Sequence, residues 1–178
     1  MNFVGFQKIP RLSRECIITE KIDGTNGCLY IGENEEFLVG SRKRWITPEN
    51  DNFGFAKWAY DHKEEIISCL GVGLHYGEWW GNGIQRGYNM KEKVFSLFNT
   101  KRWGEEELFE GLRTVPIIYQ GIFTTQAVED ALLHLQKYGS LASPGFLKPE
   151  GVVVFHVAGN LMFKKTIEKD EESKGGNK

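Results

Sequence analysis

Apolar residues come along this chain in short runs, broken by Gly, Asn and charged residues, and the rhythm shifts to a helical period in only two stretches. Cys16-Ile17-Ile18 reads as the end of a buried strand and Cys28-Leu29-Tyr30-Ile31 as the start of the next. Cys28–Ile31 and Phe37–Gly40 flank the turn-forming run Gly32-Glu33-Asn34-Glu35-Glu36, which predicts a β-hairpin. From Asn52 to Leu70, residues Phe55, Trp58, Ala59, His62, Ile66 and Leu70 share one helical face, and Gly71 and Gly73 stop that helix. Leu74–Glu78 and Val94–Phe98 are short strand candidates, with an ordered Gly- and Trp-rich loop over Trp79–Tyr88 between them. Pro116–Gln120 reads as a buried strand, Thr125–Tyr138 as a second helix ended by Gly139, and Leu141–Pro149 as a loop. Val152–His156 and Leu161–Lys165 predict a last hairpin turned by Ala158-Gly159-Asn160. With no internal repeat and no linker, residues 1–167 predict one α+β domain of antiparallel sheets flanked by helices, and residues 168–178 a charged, frayed tail.

Composition narrows the function classes. A net charge of -2 and a pI near 6.1 supply no global field for long nucleic acid, so any such contact must come from a local cleft. The 3 cysteines, Cys16, Cys28 and Cys69, have neither disulfide nor zinc spacing and read as buried thiols of a cytoplasmic protein. No signal peptide or run long enough to cross a membrane is indicated. His62, His75, His134 and His156 lack metal-ligand spacing. The glycines of Gly71–Gly77 miss the dinucleotide-loop spacing and follow a helix instead of a strand. There is neither a P-loop nor a serine nucleophile elbow.

What remains is charge at strand ends. Lys21, in Glu20-Lys21-Ile22-Asp23-Gly24-Thr25-Asn26, sits where a core strand normally excludes an ammonium. It is either a surface lysine in a β-turn or a partly desolvated nucleophile. Arg42 follows the second hairpin strand, Glu78 ends a strand, Glu150-Gly151 precedes Val152-Val153-Val154-Phe155, and Lys164-Lys165 closes the final strand. Together they offer cations for phosphate and carboxylates for a metal or a sugar.

These segments, in this order, resemble the covalent nucleotidyltransferases, the polynucleotide ligases and messenger-RNA capping enzymes. Lys21-Ile22-Asp23-Gly24 resembles their nucleotidyl-lysine motif, Ser41-Arg42 the short motif after the first hairpin, and Tyr76-Gly77-Glu78 the third motif. Phe95-Ser96-Leu97-Phe98 resembles the aromatic motif behind the nucleobase, Glu150-Gly151-Val152-Val153 the fourth motif, and Phe163-Lys164-Lys165 the fifth. Glu20–Asn26 is most similar to RNA ligases of the phage T4 ligase 2 type, in a small form without their C-terminal OB or helical domain.

The resemblance implies the nucleotidyltransferase (ATP-grasp-like) domain of ligases, ATP with Mg2+ or Mn2+, and a lysyl-AMP on Lys21. It implies Glu150 as metal ligand and catalytic carboxylate, and Lys164 at the α-phosphate. Phe98 would stack on adenine, Glu20 touch its edge and Glu78 accept from ribose hydroxyls, while Ile22, Gly24 and Lys165 complete the nucleotide site. Asn26 and Arg42 would hold a 5′-phosphate. The expected partner is a nucleic acid with 5′-phosphate ends, RNA favoured, sealed to a 3′-hydroxyl by a monomer, with a partner protein standing in for the absent domain. A DNA ligase, a GTP-using capping enzyme and a non-catalytic nucleotide or strand-end binding module are the alternatives. Two departures stand out: Asn99 replaces the acid after the aromatic motif, and the motif V lysines are adjacent instead of alternating. Adjacent strand residues point to opposite faces, so only one lysine reaches the pocket, and Lys164 is assigned to it. Trp79 and Trp80 either stack on exposed bases or pack beneath the loop.

Overall fold

The predicted strands divide between two sheets. The computed structural model describes residues 1–34, 36–104 and 108–170. Its strands are β1 (Glu15–Lys21), β2 (Thr25–Ile31), β3 (Phe37–Ser41), β4 (Trp45–Ile46), β5 (Gly73–Gly81), β6 (Lys93–Leu97), β7 (Leu112–Thr114), β8 (Ile117–Ile122), β9 (Gly151–His156) and β10 (Leu161–Thr166). The helices are α1 (Phe55–Asp61), α2 (Lys63–Leu70), α3 (Thr100–Trp103) and α4 (Thr125–Tyr138). One sheet has the order β10-β9-β1-β8 and the other β4-β3-β2-β5-β6-β7, antiparallel throughout except for β6 beside β7. The fold class is α+β, as expected from a chain rich in antiparallel strands. The expected frayed tail lies outside the described residues from 171 on, as does Glu35 of the predicted hairpin loop. Among the described residues no helix is long and apolar enough to cross a membrane.

Each sheet has one face closed by helix. Odd-numbered β2, β3, β5 and β6 residues (Leu29, Val39, Trp79 and Phe95 among them) pack against Phe55, Ala59, Ile66 and Leu70 of α1 and α2. Cys16 and Ile18 of β1 and Val152 and Val154 of β9 pack against Ala127, Ala131, Leu132 and Leu135 of α4. Thr124 caps α4, its Oγ1 accepting from Ala127 N–H at 3.0 Å, and Asp51 caps α1 by accepting from Ala56 N–H at 2.7 Å. Period-2 strands against period-3.6 helices bury these apolar sets as the patterns require.

Four features depart from expectation. The helix over 52–70 breaks at His62, whose Nδ1–H donates to its own helix's Trp58 carbonyl at 2.9 Å. The strand predicted at Leu74–Glu78 runs on to Gly81, so Trp79 and Trp80 are strand residues and the loop begins only at Asn82. β8 is half-buried at a sheet edge, where a buried strand was predicted. The short elements β4, α3 and β7 carry no period long enough to read.

Candidate active site

Lys21 is the last residue of β1, and Thr25 the first of β2, so Ile22-Asp23-Gly24 carries the chain from one sheet to the other. A turn within one hairpin is thereby excluded. Gly24 is required by close approach: a Cβ there would collide with the Trp79 carbonyl oxygen and sit 2.8 Å from Trp80 Cβ. Ile22 anchors the turn from below, buried with Trp80, Tyr88, Val94 and Val115.

Register brings the remaining charges to this turn. β1 pairs with β9, placing Lys21 opposite Gly151. Lys21 Nζ lies 2.6 Å from Oε2 of Glu150, which is 1% exposed, while the Lys21 side chain keeps 20% exposure. On the second sheet Asn26, Glu78, Ser96 and Arg113 lie side by side across four strands. Their row lies on the face away from α1 and α2. Glu78 Oε1 accepts from Gly24 N–H at 3.0 Å and Oε2 from Asn26 Nδ2 at 3.1 Å. The glutamate thus holds the turn from the neighbouring sheet.

Burial pushes the Glu78 carboxyl up from 4.5 to about 7, opposed by the positive charge of Lys21. The folded state therefore holds this proton more tightly than the unfolded chain. The stability it contributes is complete below about 4.5 and lost as pH rises through about 7. A shift of that size is worth on the order of 3 kcal/mol. Glu78→Gln carries no such penalty. Between about pH 5 and about pH 8, wild type is expected to lose on the order of 2 kcal/mol relative to Glu78→Gln in urea unfolding. Wild type gaining on the variant over that range would show that Glu78 is held as an anion.

Glu20 is 1% exposed, with Oε2 accepting from the N–H groups of Leu141 and Ala142 at 2.8 and 2.9 Å. Its Oε1 is buried without a hydrogen-bond partner. Burial raises this carboxyl, and the Ser140 hydroxyl and the two backbone amides act against it. An orphaned buried acceptor is costly in a closed core and suits a site where a ligand donor arrives. Phe98 is half-buried on the cluster of Ile22, Trp80 and Tyr88, whereas Phe95 is fully buried in the core under α1. Trp79 and Trp80 are 2% and 0% exposed, the latter donating to Ser96 Oγ at 2.8 Å. Neither has a face for a base, so packing beneath the loop is the outcome. Arg42 is exposed just beyond Ser41, which pairs with Gly27, one residue from Asn26.

The two adjacent lysines separate by register. Lys164 pairs with Val153, which pairs with Thr19, so Lys164 shares the face of Lys21. Lys165 pairs with Val152 on the α4 face, and its Nζ lies 2.9 Å from Glu129 of α4. The expected place of Lys165 in the nucleotide site is not met: it lies on the opposite face of the sheet from Lys21.

Sequence reasoning missed a strap across the site. Arg86 Nε lies 3.0 Å from Asp23 Oδ2, and its Nη1 donates to the Lys148 carbonyl at 2.9 Å. One guanidinium so ties the lysine turn to the segment that leads into Glu150. Asp23 N–H donates to Tyr88 Oη at 2.9 Å, and Ser143 Oγ donates to the Tyr88 carbonyl at 2.7 Å. Gln85, Tyr88 and Asn89 hold positive φ of 45°, 51° and 55°, a conformation retained only where surroundings enforce it. The available signal was an arginine in a Gly-rich loop.

Among the described residues no His, Cys, Asp or Glu group is preassembled to hold a metal. Glu150 suits a cation that keeps most of its shell from water and phosphate, as Mg2+ does.

A model of the RNA ligase family matches residues 14–166. A sequence search among curated proteins finds no significant match. The fold is similar to solved structures of Naegleria gruberi RNA ligase variants. One with ATP and Mn has a TM-score of 0.61 and 20% identity, covering 86% of this chain and 50% of that one. A second with ATP and Mn has a TM-score of 0.60 and 21% identity, covering 88% and 51%. One with AMP and Mn has a TM-score of 0.59 and 19% identity, covering 86% and 49%. At this identity the likeness is one of fold, and the chain spans about half the length of these relatives.

Proposed function

The chain belongs to the RNA ligase family, and we propose that it is an ATP-dependent RNA ligase that works through a lysyl-AMP on Lys21. The observation that carries this reading is the Lys21–Glu150 pair at 2.6 Å, at the end of a core strand and facing the Glu78 row of the other sheet. The Naegleria structures hold ATP or AMP with Mn, and we extend that to ATP with Mg2+ or Mn2+ here.

Lys21 Nζ attacks the α-phosphorus. The N–P bond forms, the bond to pyrophosphate breaks, and the amine's proton passes towards Glu150 Oε2, already within hydrogen-bond reach. Charge neutralisation and alignment do most of the work in such a transfer. A bound divalent ion would supply positive charge at the phosphates, with Glu150 among its ligands. Lys164 serves the α-phosphate. Phe98 backs the adenine, the orphaned Glu20 Oε1 accepts from its edge, and Glu78 meets the ribose as well as the turn. Arg42 and Asn26 hold the 5′-phosphate of the strand that next receives AMP, before a 3′-hydroxyl displaces it. A monomer working with a partner protein accompanies this reading.

The test is intact mass after incubation with ATP and Mg2+ or Mn2+. The expected result is a gain of one AMP, reversed by pyrophosphate. No adduct with any metal and either ATP or GTP would remove the enzyme reading.

A further inference from the structure

The face of the six-stranded sheet that carries the Asn26–Glu78 row does not stop at the active site. In register with it, one row further from Lys21, run Trp45, Gly40, Cys28 and Tyr76. The next row includes Tyr30 and Leu74. Trp45, Tyr76 and Leu74 are 52%, 56% and 51% exposed, although α1 and α2 bury the opposite face of the same strands. Gly40 keeps the surface flat: a Cβ there would lie 3.1 Å from the Trp45 ring, so the indole rests on bare backbone. Tyr30 and Trp45 have ring centroids 6.4 Å apart.

The charges around this face differ from end to end. Arg42 and Lys43 are exposed at the active-site end, in the β3–β4 turn. Glu33 and Glu36 stand at the far end, in the β2–β3 turn. A polyanion is drawn to the end beside Lys21 and repelled from the other.

Resting on the ligase reading above, we infer that this open face is a stacking platform for unpaired nucleotides of a single-stranded RNA end, with Trp45 and Tyr76 under the bases and Arg42 and Lys43 on the phosphates. Aromatic side chains beside cations are what bind single strands, because every base has a π-face and every linkage a charge. A duplex end keeps its bases stacked on each other and gains little from such a surface. Continuity with the Asn26–Glu78 row lays the strand towards Lys21-bound AMP, its 5′-phosphate leading.

The experiment is fluorescence anisotropy without ATP, using a short 5′-phosphorylated single-stranded RNA labelled at its 3′ end. Trp45→Ala and Tyr76→Ala should each weaken binding by roughly 5- to 150-fold. Trp45→Phe should restore most of the loss. Abasic residues next to the 5′-phosphate should weaken wild type in the same way and cost Trp45→Ala nothing more. Blunt duplex RNA should bind wild type and Trp45→Ala alike. Unchanged single-strand affinity in both alanine variants would assign the face to a protein partner and overturn the inference. So would an equal loss for duplex, or no RNA binding by wild type. Lysyl-AMP formation by wild type, followed in the same preparation by intact mass, reports on the ligase reading separately.

Discussion

Replacing Lys21 with arginine is expected to leave a folded protein that never gains AMP. The substitution keeps a cation beside Glu150 and removes the nucleophile, because a guanidinium does not lose its proton in a protein. Lys21→Ala is a poorer choice. It strips Glu150, 1% exposed, of its ion-pair partner at 2.6 Å, and breaking a buried pair costs roughly 3–5 kcal/mol. An inactive alanine variant could thus be an unfolded one. Intact mass with ATP and either metal, beside a melting curve, checks the arginine variant. No adduct and a melting temperature near that of wild type are expected. An AMP adduct on Lys21→Arg would place the nucleophile at another residue and end the lysyl-AMP assignment made for Lys21.

Part of this arrangement was legible along the chain, and the boundary has physical causes. Strands such as β2 and β9 were readable as short apolar runs bounded by turn residues. Helix α4 was readable to the residue, between a threonine cap and Gly139 at φ +84°. The division into two sheets was not. Lys21–Thr25 has the composition of a hairpin turn, and only the pairings of β1 with β9 and of β2 with β5 show that it crosses between layers. Polar residues at strand ends announced themselves because a charge beside a core strand is costly without a purpose. Arg86 did not, since its partner Asp23 lies 63 residues away and no local pattern encodes such a contact. Trp79 and Trp80 were ambiguous because glycines on either side resemble a loop, whereas Gly77 and Gly81 serve close backbone approach within β5.

The adjacent lysines of β10 are expected to behave as differently as their faces. Lys164 lies in the row of Val153 and Thr19, two strands across from Lys21 and one row back on the same side. Lys165 is turned to α4 and its Glu129. Loss of one well-aimed positive group at a developing phosphate charge costs roughly 10²–10³ in rate. Lys164→Ala should therefore slow lysyl-AMP formation by about that factor, with partial recovery in Lys164→Arg. Lys165→Ala removes a pair whose side chains are 37% and 49% exposed; such a pair is worth no more than about 1 kcal/mol, and adenylylation should stay within a few-fold of wild type. Single-turnover adduct formation, quenched in acid and read by intact mass, separates the two. If Lys165→Ala is the slow variant while Lys164→Ala is normal, β10 shifts its register by one residue when nucleotide binds, and the assignment of the α-phosphate lysine passes to Lys165.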